Sequence, residues 1–179
     1  MCGRYSLRRS FEEILADLEQ LLGSALGPVN GADIAGDAKI TDDLAAVTNR
    51  FNIRPSNHAL VLRQTGGQAQ VGLSRWGFQP PWMTAEYQRT AKRGPFINAR
   101  LETAHTARAF ADATADHRCL VIADGFYDLK TEESGKRTPY FFDFDGEKLF
   151  FMAGIETAYP GPAWQAASSN FAILTHEAL

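Results

Sequence analysis

The chain has 179 residues, 45% of them hydrophobic, and its 18 basic and 21 acidic residues give a formal net charge of −3. This length suits one globular core, so we expect one domain over residues 1–179. No stretch approaches the roughly 20 apolar residues of a membrane span or resembles a signal peptide. We therefore expect a soluble cytoplasmic protein without a membrane partner. Residues 10–43 hold eight acids and one base, which leaves a net charge of +4 elsewhere. That mildly basic remainder is compatible with a nucleic-acid partner.

The first residues carry an unusual pair of nucleophiles. A small residue after the initiator permits removal of Met1, and Cys2 then presents an α-amine and a thiol on adjacent carbons. Their reference pKa values of about 7.7–8.0 and about 8.5 leave a useful fraction of each unprotonated near neutrality. With an aldehyde, the amine forms an imine and the thiolate closes a thiazolidine ring. Two alternatives remain: Cys2 is incidental to an exposed terminus, or Met1 is retained and the amine is blocked as an amide.

The N-terminal half shows regular elements separated by a loop. Residues 1–7 suit a short strand, and Ser10 with Glu13 forms a capping-box pattern that opens a helix over about 11–22. Residues 23–42 have no periodicity and predict a mobile loop. Two strands, 59–62 and 71–76, are predicted to pair as a hairpin across Gly66-Gly67.

A proline-rich turn over residues 76–82 contains two indoles. Trp76 and Trp82 have two alternative roles: they clamp the core and the turn, or they lie beside a groove and stack on unpaired bases.

The following segments combine polar and apolar patterns. Asn98, Arg100 and Glu102 alternate, so that their side chains would share one face before a helix that runs to about Ala113. The alternative is that Glu102 is simply a residue of the first helical turn. Residues 118–127 predict a strand with a buried Cys119, and this strand leads directly to Asp128.

The C-terminal part predicts three strands. Residues 139–144 and 148–152 flank Asp145-Gly146, a strong two-residue hairpin signal. Residues 170–175 form one more short strand. The two cysteines are expected to be free thiols, and neither a zinc-ligand spacing nor a phosphate-binding glycine motif is present, so no metal or cofactor is predicted.

Five motifs, taken in order, resemble the SOS response-associated peptidase (SRAP) family of abasic-site processing proteins. They are Cys2-Gly3-Arg4-Tyr5, residues 52–56, Trp76-Gly77-Phe78 with Pro80 and Trp82, Asn98-Ala99-Arg100 with Glu102-Thr103, and Arg118-Cys119-Leu120 through Gly125-Phe126-Tyr127. The resemblance covers nearly the whole chain. It implies a single α+β domain built on a distorted, mainly antiparallel β-barrel with flanking helices.

The resemblance also implies a chemistry and a partner. In that pattern, Cys2 crosslinks to the ring-opened aldehyde of an abasic site in single-stranded DNA, with Asn98 near the sugar. Arg4 and Arg100 match phosphate-contacting arginines, and Trp76 falls in the region of the base-stacking wedge, with Trp82 as a second candidate for DNA binding. Imine formation needs proton transfers, so a carboxyl group beside Cys2 is expected. We expect a monomer that associates with the nucleoid during DNA damage.

Two departures from the family pattern affect this expectation. Gly-Phe-Tyr is followed by Asp128 and Leu129 where the family has a catalytic Glu and a Trp. Asp128 is therefore the candidate catalytic acid/base, with a side chain one methylene shorter than that of Glu, and the alternative is that it is simply a carboxylate at a strand end. The family's His-x-Arg-Met-Pro segment is also missing after the last strand. His58, His105, His117 and His176 match no motif position, and His176 is expected to face solvent. The chain is therefore expected to be truncated, with impaired self-processing.

The sequence is compatible with three functions. The first is abasic-site crosslinking on single-stranded DNA. The second is an N-terminal nucleophile amidase or peptidase, in which the α-amine acts as base for the Cys2 thiol. The third is a silent single-strand-binding remnant, suggested by Asp128 and the missing His.

Overall fold

A computed structural model describes residues 3–29, 47–92, 94–144, 148–158 and 169–176 of the chain. Cys2, most of the predicted loop (30–42) and the predicted Asp145-Gly146 turn lie outside the described residues. Within them the chain forms ten strands and four α-helices. The strands are β1 (Arg4–Leu7), β2 (Arg50–Ile53), β3 (His58–Thr65), β4 (Gln68–Trp76), β5 (Asn98–Arg100), β6 (Arg118–Ala123), β7 (Gly125–Thr131), β8 (Arg137–Phe142), β9 (Phe150–Ala158) and β10 (Ser169–Thr175). The helices are α1 (Phe11–Leu22), α2 (Ala85–Ala91), α3 (Leu101–Ala104) and α4 (Ala111–Asp116).

Five strands close into a barrel in the order β4-β3-β6-β9-β10, and the parallel pairing of β10 with β4 completes the ring. The short strand β5 also pairs with β10 in parallel. A separate antiparallel sheet has the order β2-β1-β7-β8. The predicted single α+β domain with a distorted β-barrel is confirmed.

Local signals account well for α1 and for the β3–β4 hairpin. The Ser10 side chain accepts a hydrogen bond from the Glu13 backbone N–H, and the Glu13 carboxylate accepts one from the Ser10 N–H, which is the predicted capping box. Ile14 and Leu18 then lie four residues apart on one buried face of the helix. Gly66 and Gly67 both have positive φ, at 59° and 84°, as a two-residue turn requires.

The predicted hairpin across Asp145-Gly146 is wrong. Strand β8 pairs with β7 in the four-stranded sheet, whereas β9 lies between β6 and β10 in the barrel. Each of the two apolar runs therefore reaches a different partner, and the turn signal between them does not create a local pairing. The hairpin partner of β8 is the preceding strand, through a turn in which Gly135 has φ of 78°.

Three other features of the fold differ from the sequence prediction. The predicted helix ending near Ala113 is divided into the short helices α3 and α4, and Phe110 between them packs against Phe78 and Phe96 at centroid distances of 5.6 and 5.1 Å. Helix α2, which Thr84 caps, was not predicted. At the start of the predicted loop, Gly23–Ala25 form a short 3-10 helix, and the Gly27 N–H donates to the Ala69 carbonyl of β4 at 2.8 Å.

Candidate functional site

The first strand lies in the interior of the four-stranded sheet, between β2 and β7. Its register with β7 pairs Arg4 with Tyr127 and Tyr5 with Phe126. Extended by one residue toward the N-terminus, this register sets Gly3 opposite Asp128. The predicted carboxylate therefore lies on the strand that borders the start of the chain, next to the residue that follows Cys2.

A buried carboxylate, Asp124, fixes this strand. Its side chain accepts hydrogen bonds from the Ser6 hydroxyl at 2.7 Å and from the backbone N–H of Arg8, and it forms an ion pair with the Arg8 guanidinium at 3.2 Å. The Asp124 N–H in turn donates to the Ser6 carbonyl at 3.0 Å. Sequence reasoning did not identify Asp124, although an acid that ends an apolar strand just before a glycine was a usable signal.

The neighbouring Gly125 allows the strands to approach closely. A Cβ at this position would lie 2.2 Å from the Phe141 ring and 2.8 Å from the Ser6 Oγ. Such distances are not compatible with a side chain, so glycine is required for β1, β7 and β8 to keep this arrangement.

Asp128 is partly buried on β7, and its Oδ1 accepts a hydrogen bond from the Leu129 N–H at 2.8 Å. Tyr140 lies opposite it on β8. A carboxylate held by a backbone N–H keeps a defined orientation, and its oxygen atoms can take up or release a proton for a group bound beside the strand.

Trp76 is fully buried, which corrects its prediction as a base-stacking residue. Its indole packs against Tyr5 at 5.3 Å and is stacked on Phe171 at 6.2 Å between centroids, and its Nε1 donates to the Ile97 carbonyl at 2.8 Å. An indole enclosed in this way has no face for a base. It connects Tyr5 of β1 to Ile97, the residue that precedes Asn98.

Asn98 and Arg100 lie two residues apart on β5 and therefore share a face. Asn98 pairs in register with Ile173 and Arg100 with Thr175, and the Arg100 side chain is exposed. Glu102 does not continue this alternation, because it belongs to α3. Its carboxylate lies 3.4 Å from Nε2 of His176, whose side chain is 55% exposed, in agreement with the predicted solvent-facing position.

Arg4 lies on the face of the four-stranded sheet opposite to the face that carries Asp128. It pairs with Tyr127, one residue from Asp128, so strand alternation directs Arg4 and Asp128 to opposite faces. Its side chain is exposed, and Nη1 donates to the Asn52 Oδ1 at 2.9 Å. Arg4 and Asp128 thus occupy adjacent strands, whereas Asn98 and Arg100 belong to the other sheet.

The second predicted indole, Trp82, has a different environment from that of Trp76. It is only partly buried, the Arg108 guanidinium lies 5.2 Å from its ring centroid, and Tyr87 contacts its edge at 5.3 Å. Its Nε1 is buried without a hydrogen-bond partner in the described part of the chain. A cation beside partly exposed aromatic rings is typical of single-strand binding surfaces.

Cys119 is the buried thiol that was predicted, with 4% of its surface exposed. Burial raises the pKa of its thiol, the Glu156 carboxylate raises this pKa further, and Arg63 opposes the effect. The thiol therefore stays protonated and unreactive well above neutral pH.

Maleimide labelling tests the environment of Cys119. In the native protein at up to about pH 9 we expect this residue to remain unlabelled, whereas unfolding in urea exposes it. Peptide mass spectrometry distinguishes it from Cys2. Labelling of native Cys119 as fast as in the unfolded chain would contradict the assignment.

No group of three or more His, Cys, Asp or Glu side chains suitable for a metal ion occurs among residues 3–29, 47–92, 94–144, 148–158 and 169–176. In the same ranges, none of the helices has the length and apolar character needed to cross a bilayer.

Comparison with known sequences adds independent information. A family model described as SOS response associated peptidase (SRAP) matches residues 1–179. The abasic site processing protein YoaM of Bacillus subtilis is 29% identical over 158 residues, which cover 87% of this chain and 59% of that protein. The abasic site processing protein YedK of Escherichia coli is 28% identical over 153 residues, which cover 86% of this chain and 59% of that protein. The chain thus spans about 59% of the length of these two relatives.

Solved structures support the same fold. A crystal structure of a Bacteroides thetaiotaomicron protein matches with a TM-score of 0.73 and 18% identity, covering 98% of this chain and 68% of the other. A Bordetella bronchiseptica protein matches with a TM-score of 0.67 and 22% identity, covering 99% and 73%. At these identities the likeness concerns the fold alone.

Proposed function

Because the chain belongs to the SOS response associated peptidase family, we propose that it processes abasic sites in DNA by forming a covalent crosslink through Cys2. The observation that carries this proposal is the register of β1 with β7, which sets Asp128 beside the residue that follows Cys2. A carboxylate at this position supplies the proton transfers that an N-terminal aminothiol needs for reaction with a carbonyl group.

The reaction begins after removal of Met1. The Cys2 amine adds to the C1′ aldehyde of a ring-opened abasic sugar, and the carbinolamine loses water to give an imine. The Cys2 thiolate then adds to the same carbon and the imine nitrogen takes up a proton, which closes a five-membered thiazolidine. The products are the crosslink and one water, so no oxidant, reductant or metal is needed to balance the step.

Asp128 is proposed to protonate the departing hydroxyl of the carbinolamine. Asp128→Asn is expected to slow adduct formation about 100-fold, because the amide cannot transfer this proton. Asp128→Glu keeps the carboxyl group and is expected to retain most of the rate. The measurement is a single-turnover time course of adduct formation.

A matched control is Asp143→Asn, which removes an exposed carboxylate that binds Arg8 near the same sheet. It is expected to leave the rate unchanged. An Asp128→Asn variant that forms the adduct at the wild-type rate would exclude Asp128 as the proton donor.

DNA binding is proposed to use groups that contact any sequence. Arg4 and Arg100 are exposed cations suited to phosphates flanking the lesion, Asn98 is proposed to contact the sugar, and Trp82 with Arg108 to hold a base. Phosphate contacts and stacking give affinity without sequence preference. Because a base must be unpaired to stack on Trp82, the partner is proposed to be single-stranded DNA.

The direct test is incubation of the Met1-free protein with a single-stranded oligonucleotide that carries one abasic site. We expect a band of the combined mass on a denaturing gel without added borohydride, and no band with the intact oligonucleotide. Repeated turnover of a small amide or peptide without an adduct would favour the N-terminal nucleophile amidase instead. Salt-sensitive binding of single strands without an adduct at any pH would indicate a silent binding remnant.

A further inference from the structure

The face of the four-stranded sheet that carries Asp128 also holds exposed aromatic side chains. Cross-strand partners in an antiparallel sheet share a face, and β7 pairs Asp128 with Tyr140 and Phe126 with Phe142. Tyr140 is 43% exposed and Phe142 is 47% exposed. Both rings are thus accessible, and they lie two residues apart on β8, about 7 Å along the strand.

The two rings are held in place by neighbours on the same sheet. Phe142 is stacked on Phe126, with centroids 5.1 Å apart and an angle of 16° between the planes. The Lys130 ammonium lies 5.9 Å from the Tyr140 centroid, and the Tyr140 hydroxyl lies 3.4 Å from a Glu132 carboxylate oxygen. The Glu132 carboxylate disfavours a phosphate at the hydroxyl end, whereas the ring itself remains suited to an uncharged planar group.

The position of these rings relative to the start of the chain is set by strand spacing. The extended register sets Gly3 opposite Asp128, and Asp128 is opposite Tyr140. With neighbouring strands about 4.8 Å apart, Tyr140 lies roughly 10 Å across the sheet from Gly3. This distance is short enough for nucleotides next to a sugar bound at Cys2 to reach the aromatic rings.

We propose that Tyr140 and Phe142 form a stacking platform for the bases of the nucleotides that flank the abasic site. A four-stranded sheet with exposed aromatic side chains two residues apart is a known arrangement for stacking successive bases. A ring face that these neighbours leave open accepts any base, and the Lys130 ammonium over the Tyr140 ring adds an attractive cation. This inference rests on the proposed function, since it assigns the flanking nucleotides of the same substrate.

The test uses single-stranded oligonucleotides with a central tetrahydrofuran, an abasic analogue that has no aldehyde. One oligonucleotide has bases on both sides of the tetrahydrofuran, and in the other the flanking nucleotides are tetrahydrofuran as well. By fluorescence anisotropy, we expect the wild type to bind the base-flanked oligonucleotide about tenfold more tightly. Tyr140→Leu should remove most of this preference, whereas Tyr140→Phe, which keeps the ring, should preserve it.

Leu129→Ala is the matched control, because Leu129 is 46% exposed on the opposite face of β7. It should leave the preference unchanged. Equal binding of the two oligonucleotides by the wild type, or an undiminished preference in Tyr140→Leu, would overturn the proposal. So would a concentration-dependent dimer that Tyr140→Leu dissolves without affecting DNA binding, since the rings would then serve contact between copies of the chain.

Failure of the platform can be separated from failure of the crosslinking chemistry. The tetrahydrofuran oligonucleotides cannot crosslink, so their binding reports on stacking alone. A preserved preference without any adduct on a true abasic site supports the platform and counts against the chemistry of Cys2. An adduct that forms normally without a flanking-base preference overturns the platform and leaves that chemistry intact.

Discussion

Cys2→Ala is expected to abolish the stable adduct with abasic single-stranded DNA, reducing it to the background of a protein without the aminothiol. The alanine variant keeps an α-amine and can form an imine, but it has no sulfur to close the ring. An imine hydrolyses readily under denaturing conditions, whereas the thiazolidine persists. The measurement is the fraction of abasic oligonucleotide shifted on a denaturing gel.

Two further variants give this experiment its controls. Cys119→Ala is expected to keep the adduct, because Cys119 is buried and its thiol is held protonated. Cys2→Ser is expected to yield an adduct only when borohydride traps the imine, which separates the roles of the amine and the sulfur. A stable, borohydride-independent adduct from Cys2→Ala would show that another nucleophile reacts with the sugar.

The chemistry proposed for the start of the chain stays a prediction, and it rests on the sequence alone because it depends on one residue and its position. The α-amine and thiol of Cys2 need no fold to be recognised. Helix α1 was predictable, since the Ser10–Glu13 capping box and the spacing of Ile14 and Leu18 are local signals. The β3–β4 hairpin required only two glycines between apolar runs.

The contacts that hold the candidate site together were not predictable, because they depend on pairings between segments distant in sequence. Asp128 lies beside the chain start only through the register of β1 with β7, more than 100 residues apart in sequence. Asp124 secures that register through Ser6 and Arg8, and no local pattern shows such contacts. The separation of β8 from β9 is of the same kind: β8 pairs with β7, whereas β9 pairs with β6 and β10, so the pairing of strands within the two sheets overrides the local turn signal.

The two tryptophans show why residue type alone did not distinguish positioning from binding. Trp76 and Trp82 occur in one proline-rich turn, and either one suits a stacking role by composition. In the structure Trp76 is enclosed by Tyr5 and Phe171, whereas Trp82 is partly exposed beside Arg108. Because they differ in burial, we propose different roles for them, and mutation can test this proposal.

Trp76→Ala is expected to lower the free energy of unfolding by about 3–5 kcal/mol, the range for removing a fully buried large aromatic side chain. The substitution leaves a cavity between Tyr5 and Phe171 and removes the donor to the Ile97 carbonyl. Urea unfolding monitored by circular dichroism measures the loss. Trp76→Phe should cost less, since a ring remains and Ile97 still accepts a hydrogen bond from the Ile173 N–H at 3.1 Å.

The matched comparison is Trp82→Ala. This variant should lose less free energy of unfolding than Trp76→Ala but more affinity for single-stranded DNA. Its partly exposed ring contributes less to stability, and its loss is expected to weaken single-strand binding by about 1–3 kcal/mol if a base stacks there. Affinities should be compared at a temperature where both variants are fully folded. A Trp76→Ala protein of near-wild-type stability but reduced DNA affinity would contradict the buried role of Trp76.

Trp76→Ala should also slow adduct formation. Because Trp76 connects Tyr5 to the segment before Asn98, its loss should misplace β1 and β5, even where DNA affinity is retained.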